Sequence, residues 1–112
     1  MRDNNMSEYT EYLREVLSDF GPVTARRMFG GYGLFHGGLM FALVMDDVLY
    51  LKADDGNRPD FEAAALPPFD YEKRGRRVTL SYYQAPDDML DDPDVAAHWA
   101  CRALEAARRA RR

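Results

Sequence analysis

The sequence predicts an α+β domain of two layers, an antiparallel sheet of about five strands with helices mainly on one face. Two patterns and a size limit lead there. Helical spacing of apolar residues is confined to the two ends and one short middle stretch, while the residues between form short apolar strands separated by turn signals. The 112 residues, 46% apolar and 30% charged, suit one globular core and leave no room for a second. Short connections between successive strands favour antiparallel neighbours, because a parallel pair needs a long crossover. The predicted order is α-β-β-β-α-β-β-α.

The first element is a helix. Tyr9, Tyr12, Leu13, Val16, Leu17 and Phe20 recur at three- and four-residue steps on one face. Ser7 is the expected N-cap, Glu8 and Glu11 suit the positive end, and Gly21-Pro22 ends the helix. A strand then covers roughly Thr24 to Phe35, with a bulge or sharp bend expected at Gly30, Gly31 and Gly33. His36-Gly37-Gly38 reads as a turn. Leu39 to Met45 is an unbroken apolar run, as in a central strand covered on both faces or one whose second face meets a partner. Asp46-Asp47 is a two-residue hairpin loop, and Val48 to Lys52 returns from it.

Asn57 to Leu66 reads as a short helix with Pro59 in its first turn and Phe61 inward, stopped by Pro67-Pro68. Phe69 to Lys73 and Arg77 to Tyr83 are strands joined by a basic turn. Val78, Leu80 and Tyr82 alternate with Thr79, Ser81 and Tyr83, the period of a sheet with one wet face. The last helix starts near Pro93 with Asp92 as N-cap, and Ala96, Trp99, Ala100, Ala103, Leu104 and Ala107 form its inward face.

Composition excludes several classes. One cysteine, Cys101, excludes an internal disulfide and a multi-cysteine zinc site, and suits a reducing compartment. No apolar run approaches the roughly 20 residues that cross a bilayer, and the start lacks the pattern of a signal peptide, so a cytoplasmic, unanchored protein is expected. The net charge is -4. Five arginines at 102, 108, 109, 111 and 112 against one glutamate make the last eleven residues a basic tail, so the rest of the chain is acidic. An acidic body repels a phosphate backbone and disfavours nucleic-acid binding through the main surface.

No catalytic or metal-binding constellation emerges, and no cofactor is expected. The glycines at 30, 31 and 33 lack the spacing of a nucleotide loop and lead into a strand rather than a helix. His36 and His98 lack ligand or general-base partners at useful spacing and read as structural or solvated. Cys101 reads as a small, partly buried packing residue. The paired aspartates at 46–47, 54–55, 87–88 and 91–92 fall at turns and helix starts, where capping explains them. Strand alternation sends Arg26 and Arg27 to opposite faces, so one should approach the covered side and require a carboxylate. Only a pocket uniting Arg27, a carboxylate and Tyr82 or Tyr83 would argue for an enzyme.

The stretch Arg26-Arg27-Met28-Phe29-Gly30-Gly31-Tyr32-Gly33, with Leu39-Met40-Phe41-Ala42, Leu49-Tyr50-Leu51-Lys52-Ala53-Asp54 and Leu80-Ser81-Tyr82-Tyr83, resembles the N-terminal domain of the TfoX/Sxy family. The resemblance runs over nearly the whole chain. It implies an antiparallel two-layer α/β domain similar to type III secretion chaperones, here standing alone without the C-terminal helical domain of full-length regulators. It also implies a non-enzymatic regulator of competence that acts in transcription with a protein partner. Arg26, Arg27, Met28, Phe29, Gly30, Gly31 and Gly33 are its signature positions, with no role attached.

The expected function is therefore a protein-interaction and regulatory domain, monomeric or homodimeric, that does not engage a membrane. The alternative is direct nucleic-acid binding through the tail and the 74–77 turn, with Arg74, Arg76, Arg77, Arg108, Arg109, Arg111 and Arg112 as contacts.

Overall fold

A computed structural model describes residues 7–28 and 30–111. Helix α1 (Glu8–Val16) runs into a single 3-10 turn at Leu17–Asp19. Four strands follow: β1 (Thr24–Met28), β2 (Gly31–His36), β3 (Leu39–Met45) and β4 (Val48–Lys52). Then come α2 (Arg58–Ala63), β5 (Pro68–Lys73), β6 (Arg76–Gln84) and α3 (Pro93–Arg111). All strand pairs are antiparallel, and the sheet order is β1-β2-β3-β4-β6-β5. The predicted fold class stands, with six strands in place of about five.

The extra strand comes from the glycines. The stretch read as one bent strand is a hairpin in which Met28 pairs with Gly31, and Gly30 takes φ +80, a left-handed value that only glycine adopts without strain. Two-residue loops also join β2 to β3 at Gly37-Gly38, β3 to β4 at Asp46-Asp47 and β5 to β6 at Arg74-Gly75, all with positive φ. Primed turns of this kind match the right-handed twist of the flanking strands. The aspartate pair accepts the conformation without glycine, as aspartates do more readily than most residues.

Both expected caps form. The Ser7 hydroxyl accepts from the Thr10 backbone N–H at 3.1 Å, and the Asp92 carboxylate accepts from the Asp94 N–H at 2.9 Å. Helix α2 ends earlier than Leu66 because Ala65 turns left-handed at φ +58. The Leu66 N–H then reaches the Phe61 carbonyl and the Ala65 N–H reaches that of Glu62, closing the helix end. Asn57, buried to 1% exposure, donates to the Lys52 carbonyl at 3.0 Å and accepts from the Asp54 N–H at 2.8 Å, which fixes the β4–α2 loop.

The core lies between one sheet face and the helices. Leu13 and Leu17 from the first helical segment and Ala96, Ala100, Ala103 and Leu104 from α3 meet Leu34, Ala42, Val44, Leu49 and Leu51. The alanines of α3 bring its backbone close to β3 and β4. Phe61 of α2 stacks on Tyr83 at 5.1 Å and meets Trp99 at 5.2 Å. Three expectations for side chains are not met. Tyr12 is 44% exposed and leans outward so that its hydroxyl donates to the Leu90 carbonyl. Cys101 is exposed, since one step past the buried Ala100 turns it out of the helix seam. Arg26 and Arg27 are both exposed, because β1 is an edge strand beyond the helix layer, and among the described residues neither has a carboxylate partner. No helix of the described residues is long and apolar enough to cross a membrane.

Candidate functional site: the open face of the sheet

Three helices cover one sheet face, and the other carries a second apolar cluster. Leu43, Phe69 and Tyr82 are its buried members, with Met40, Met45, Tyr50, Tyr71 and Leu80 half-buried around them. A β-bulge sorts the apolar run of β3 between the two layers. Leu34 pairs with Ala42 while Phe35 pairs with Met40, leaving Phe41 as the extra residue. Phe41, Ala42 and Val44 therefore join the helix side, and Met40, Leu43 and Met45 the open side. The run at 39–45 is thus a central strand with one face beneath α3 and one face available.

Alternation in β6 is present and divides its residues between the two faces. Leu80 and Tyr82 lie on the open face, whereas Tyr83 packs towards the helices against Phe61. Thr79 and Ser81 are exposed on the other side. Between β4 and the β5–β6 hairpin the open face deepens into a groove of about 470 Å³ lined by Leu43, Tyr50, Phe69, Tyr71 and Leu80, with Asp46 and Asp70 among its polar groups. Tyr50 and Phe69 meet edge-on at 4.7 Å, and Phe69 and Tyr71 lie 5.8 Å apart. Burial first, then the negative charges of Asp46 and Asp70, raise the pKa of the Tyr50 hydroxyl above its ordinary value.

The signature residues furnish the far end of this face. The Arg26 guanidinium lies 5.3 Å above the Phe35 ring. Gly33 sits beneath the tips of Met28 and Met40, whose atoms stand 3.0 to 3.1 Å from where a Cβ would be. Gly31 allows a closer approach still, for a Cβ there would stand 2.1 Å from the Val44 carbonyl oxygen. The glycines thus let strands and methionines close over one another. Phe29 lies outside the described residues.

The arginines proposed for nucleic acid divide into two groups. Arg109 grips Asp54 through Nε at 2.5 Å and Nη2 at 2.8 Å, which with further backbone N–H bonds holds that carboxyl at about 2. Arg102 makes a similar clasp on Asp60 at 2.9 and 3.2 Å, and Arg77 pairs with Asp70 at 2.9 Å. The tail is therefore stapled to the β4–α2 region and partly neutralised. Arg74, Arg76, Arg108 and Arg111 are exposed and make no ion pair among the described residues, and Arg112 lies outside them. Ala110 of the last turn and Thr79 and Ser81 of β6 border one shallow cleft, so the tail and the 74–77 hairpin belong to the same end of the sheet.

Nothing in the geometry assembles an enzyme site from the sequence candidates. Arg27 on β1 and Tyr82 on β6 are four strand spacings apart, roughly 19 Å. His36 is structural: its ring nestles against Gly21, packs on Phe20 at 4.9 Å and hydrogen-bonds the Pro22 carbonyl at 2.8 Å. His98 is exposed beside Trp99. Among the described residues no three His, Cys, Asp or Glu side chains come together to hold a metal.

Fold and site define a class, a two-layer α+β domain that closes its core on one sheet face and keeps an aromatic, methionine-bearing face open. Sequence comparison narrows the class. Residues 15–107 match the family described as the TfoX N-terminal domain. The chain is 35% identical over 96 residues to Protein Sxy of Escherichia coli (strain K12), covering 84% of this chain and 45% of that protein. It is 27% identical over 108 residues to DNA transformation protein TfoX1 of Aliivibrio fischeri (96% and 52% covered) and 28% over 105 residues to DNA transformation protein TfoX of Haemophilus influenzae (93% and 45%). The chain belongs to the TfoX N-terminal domain family. It spans about half the length of the curated relatives it matches.

Proposed function

We propose that this chain is a non-enzymatic regulatory domain that binds a protein partner through the open face of its sheet. The observation that carries the reading is that face itself. Among the described residues nothing covers a cluster of aromatic, leucine and methionine side chains, and such residues are enriched at protein interfaces, where methionine adapts to a partner's shape. Relatives named as DNA transformation proteins support a role in competence, and regulation of transcription through a bound protein fits a domain in which no catalytic set assembles among the described residues. The purified chain, used as bait in lysate of its own host at low and moderate salt with nuclease treatment, is expected to retain a protein under both conditions. Retention only at low salt, lost on nuclease treatment, contradicts the reading.

A second reading rests on Arg74, Arg76, Arg108 and Arg111, which are exposed and make no ion pair among the described residues. They would contact phosphates, and binding would then fall steeply as salt rises. The ion pairs that occupy Arg77, Arg102 and Arg109, together with the acidic remainder of the chain, weigh against it.

A further inference from the structure

We infer that the groove between β4 and the β5–β6 hairpin receives a cationic side chain, arginine or lysine, carried on an apolar segment of a protein partner. The inference rests on the open face being a docking surface and specifies what docks there. Three rings, Tyr50, Phe69 and Tyr71, line the groove with Asp46 beside them, and the strand position of Asp70 borders it although the Asp70 side chain lies on the face of its partner Thr79. Rings offer their negative faces and carboxylates their full charge, so both elements favour the same ligand sign. An anionic group would meet repulsion, and a purely apolar one would cover Asp46 without pairing it, which is costly.

The rest of the face shows the same chemistry satisfied from within. Arg26 lies over Phe35 at 5.3 Å, and the Lys52 ammonium lies over Tyr82 at 5.2 Å. Among the described residues no cation stands over Tyr50, Phe69 or Tyr71, although Asp46 lines the same groove. Asp46 has no ion pair among the described residues, while Asp70 holds Arg77 through one oxygen only. Arg77 is itself 73% exposed and lies on the face of Thr79, so its pair with Asp70 leaves the groove's own carboxylate, Asp46, without a cation. The groove volume of about 470 Å³ falls in the range of ligand sites, roughly 300–1,000 Å³. Leu43 and Leu80 inside it, and Met45 at its border, call for apolar groups on either side of the charge, which a polypeptide segment supplies and a free amine does not.

The test uses the full chain and fluorescence anisotropy of a labelled alanine–leucine peptide with one central arginine. A matched peptide carries citrulline, the neutral isostere, in its place. The arginine peptide is expected to bind about ten-fold more tightly than the citrulline peptide. Asp46→Asn, at an exposed turn position, and Tyr50→Leu should each remove most of that ratio with the melting curve checked alongside. Equal binding of the two peptides overturns the cation inference while leaving a docking face in place. Binding of neither peptide, with host protein still captured in a manner lost in Tyr71→Glu, also overturns it. Equal affinity for free arginine amide, or a homodimer that dissociates in Asp46→Asn, overturns the assignment to a protein partner. If Tyr71→Glu leaves host-protein capture unchanged, it is the docking reading itself that fails.

Discussion

At Gly31 a single hydrogen separates the backbone of β2 from the Val44 carbonyl, and a Cβ there would stand 2.1 Å from that oxygen. Backbone cannot move aside without breaking the β2–β3 ladder, so Gly31→Ala should cost about 2–4 kcal/mol by chemical denaturation. Gly33→Ala meets only the flexible ends of Met28 and Met40, and should cost about 1 kcal/mol or less. The two glycines look alike in sequence, because the difference depends on what the paired strand presents. Asp54 offers a second test. Arg109 chiefly holds its carboxyl at about 2 against an ordinary 3.8. A depressed carboxylate stabilises the fold above its unfolded value, and that contribution disappears as pH falls through the folded one. Stability should therefore decline between about pH 3.8 and pH 2, and Asp54→Asn should lack that part of the decline. The sequence placed Arg109 in a solvated tail. Its carboxylate lies 55 positions earlier, beyond the reach of local spacing.

Elements were more readily anticipated than their edges. Helices α1 and α3 followed from the three- and four-residue spacing and from Ser7 and Asp92, since caps and amphipathic faces are local signals. The β1–β2 hairpin was missed because a glycine-rich stretch reads equally as a bulge or a turn, and only the pairing of Met28 with Gly31 decides between them. Helix α2 closes through Ala65 in a left-handed conformation that disfavours a Cβ. Ala65→Gly should thus stabilise the domain, by about 0.5–1 kcal/mol in a urea or thermal melt. A neutral or destabilising result would show that the α2 terminus adopts another geometry in solution.

For the whole molecule, the α+β class was readable because helical and strand periods segregate along the chain. The direction of the sheet's second face was not. The alternation of Val78, Leu80 and Tyr82 with Thr79, Ser81 and Tyr83 does not say which set meets the helices, and Leu80 and Tyr82 lie opposite them. The groove forms only because β6 pairs with β4 across the α2 connection, with Leu51 beside Tyr83 and Lys52 beside Tyr82. That long-range pairing brings Tyr50 onto Phe69, and no motif announces it. The one sequence signal was the unbroken apolar run at 39–45, which needed a second cover. The most direct test is capture of host protein by three forms of the chain: wild type, Tyr71→Glu, and a variant with Arg74, Arg76, Arg108 and Arg111 changed to glutamine. Docking through the open face predicts that Tyr71→Glu loses the captured protein while its melting curve is retained, and that the arginine variant captures as wild type does. Capture lost in the arginine variant and intact in Tyr71→Glu would contradict it and move the function to the basic end of the sheet.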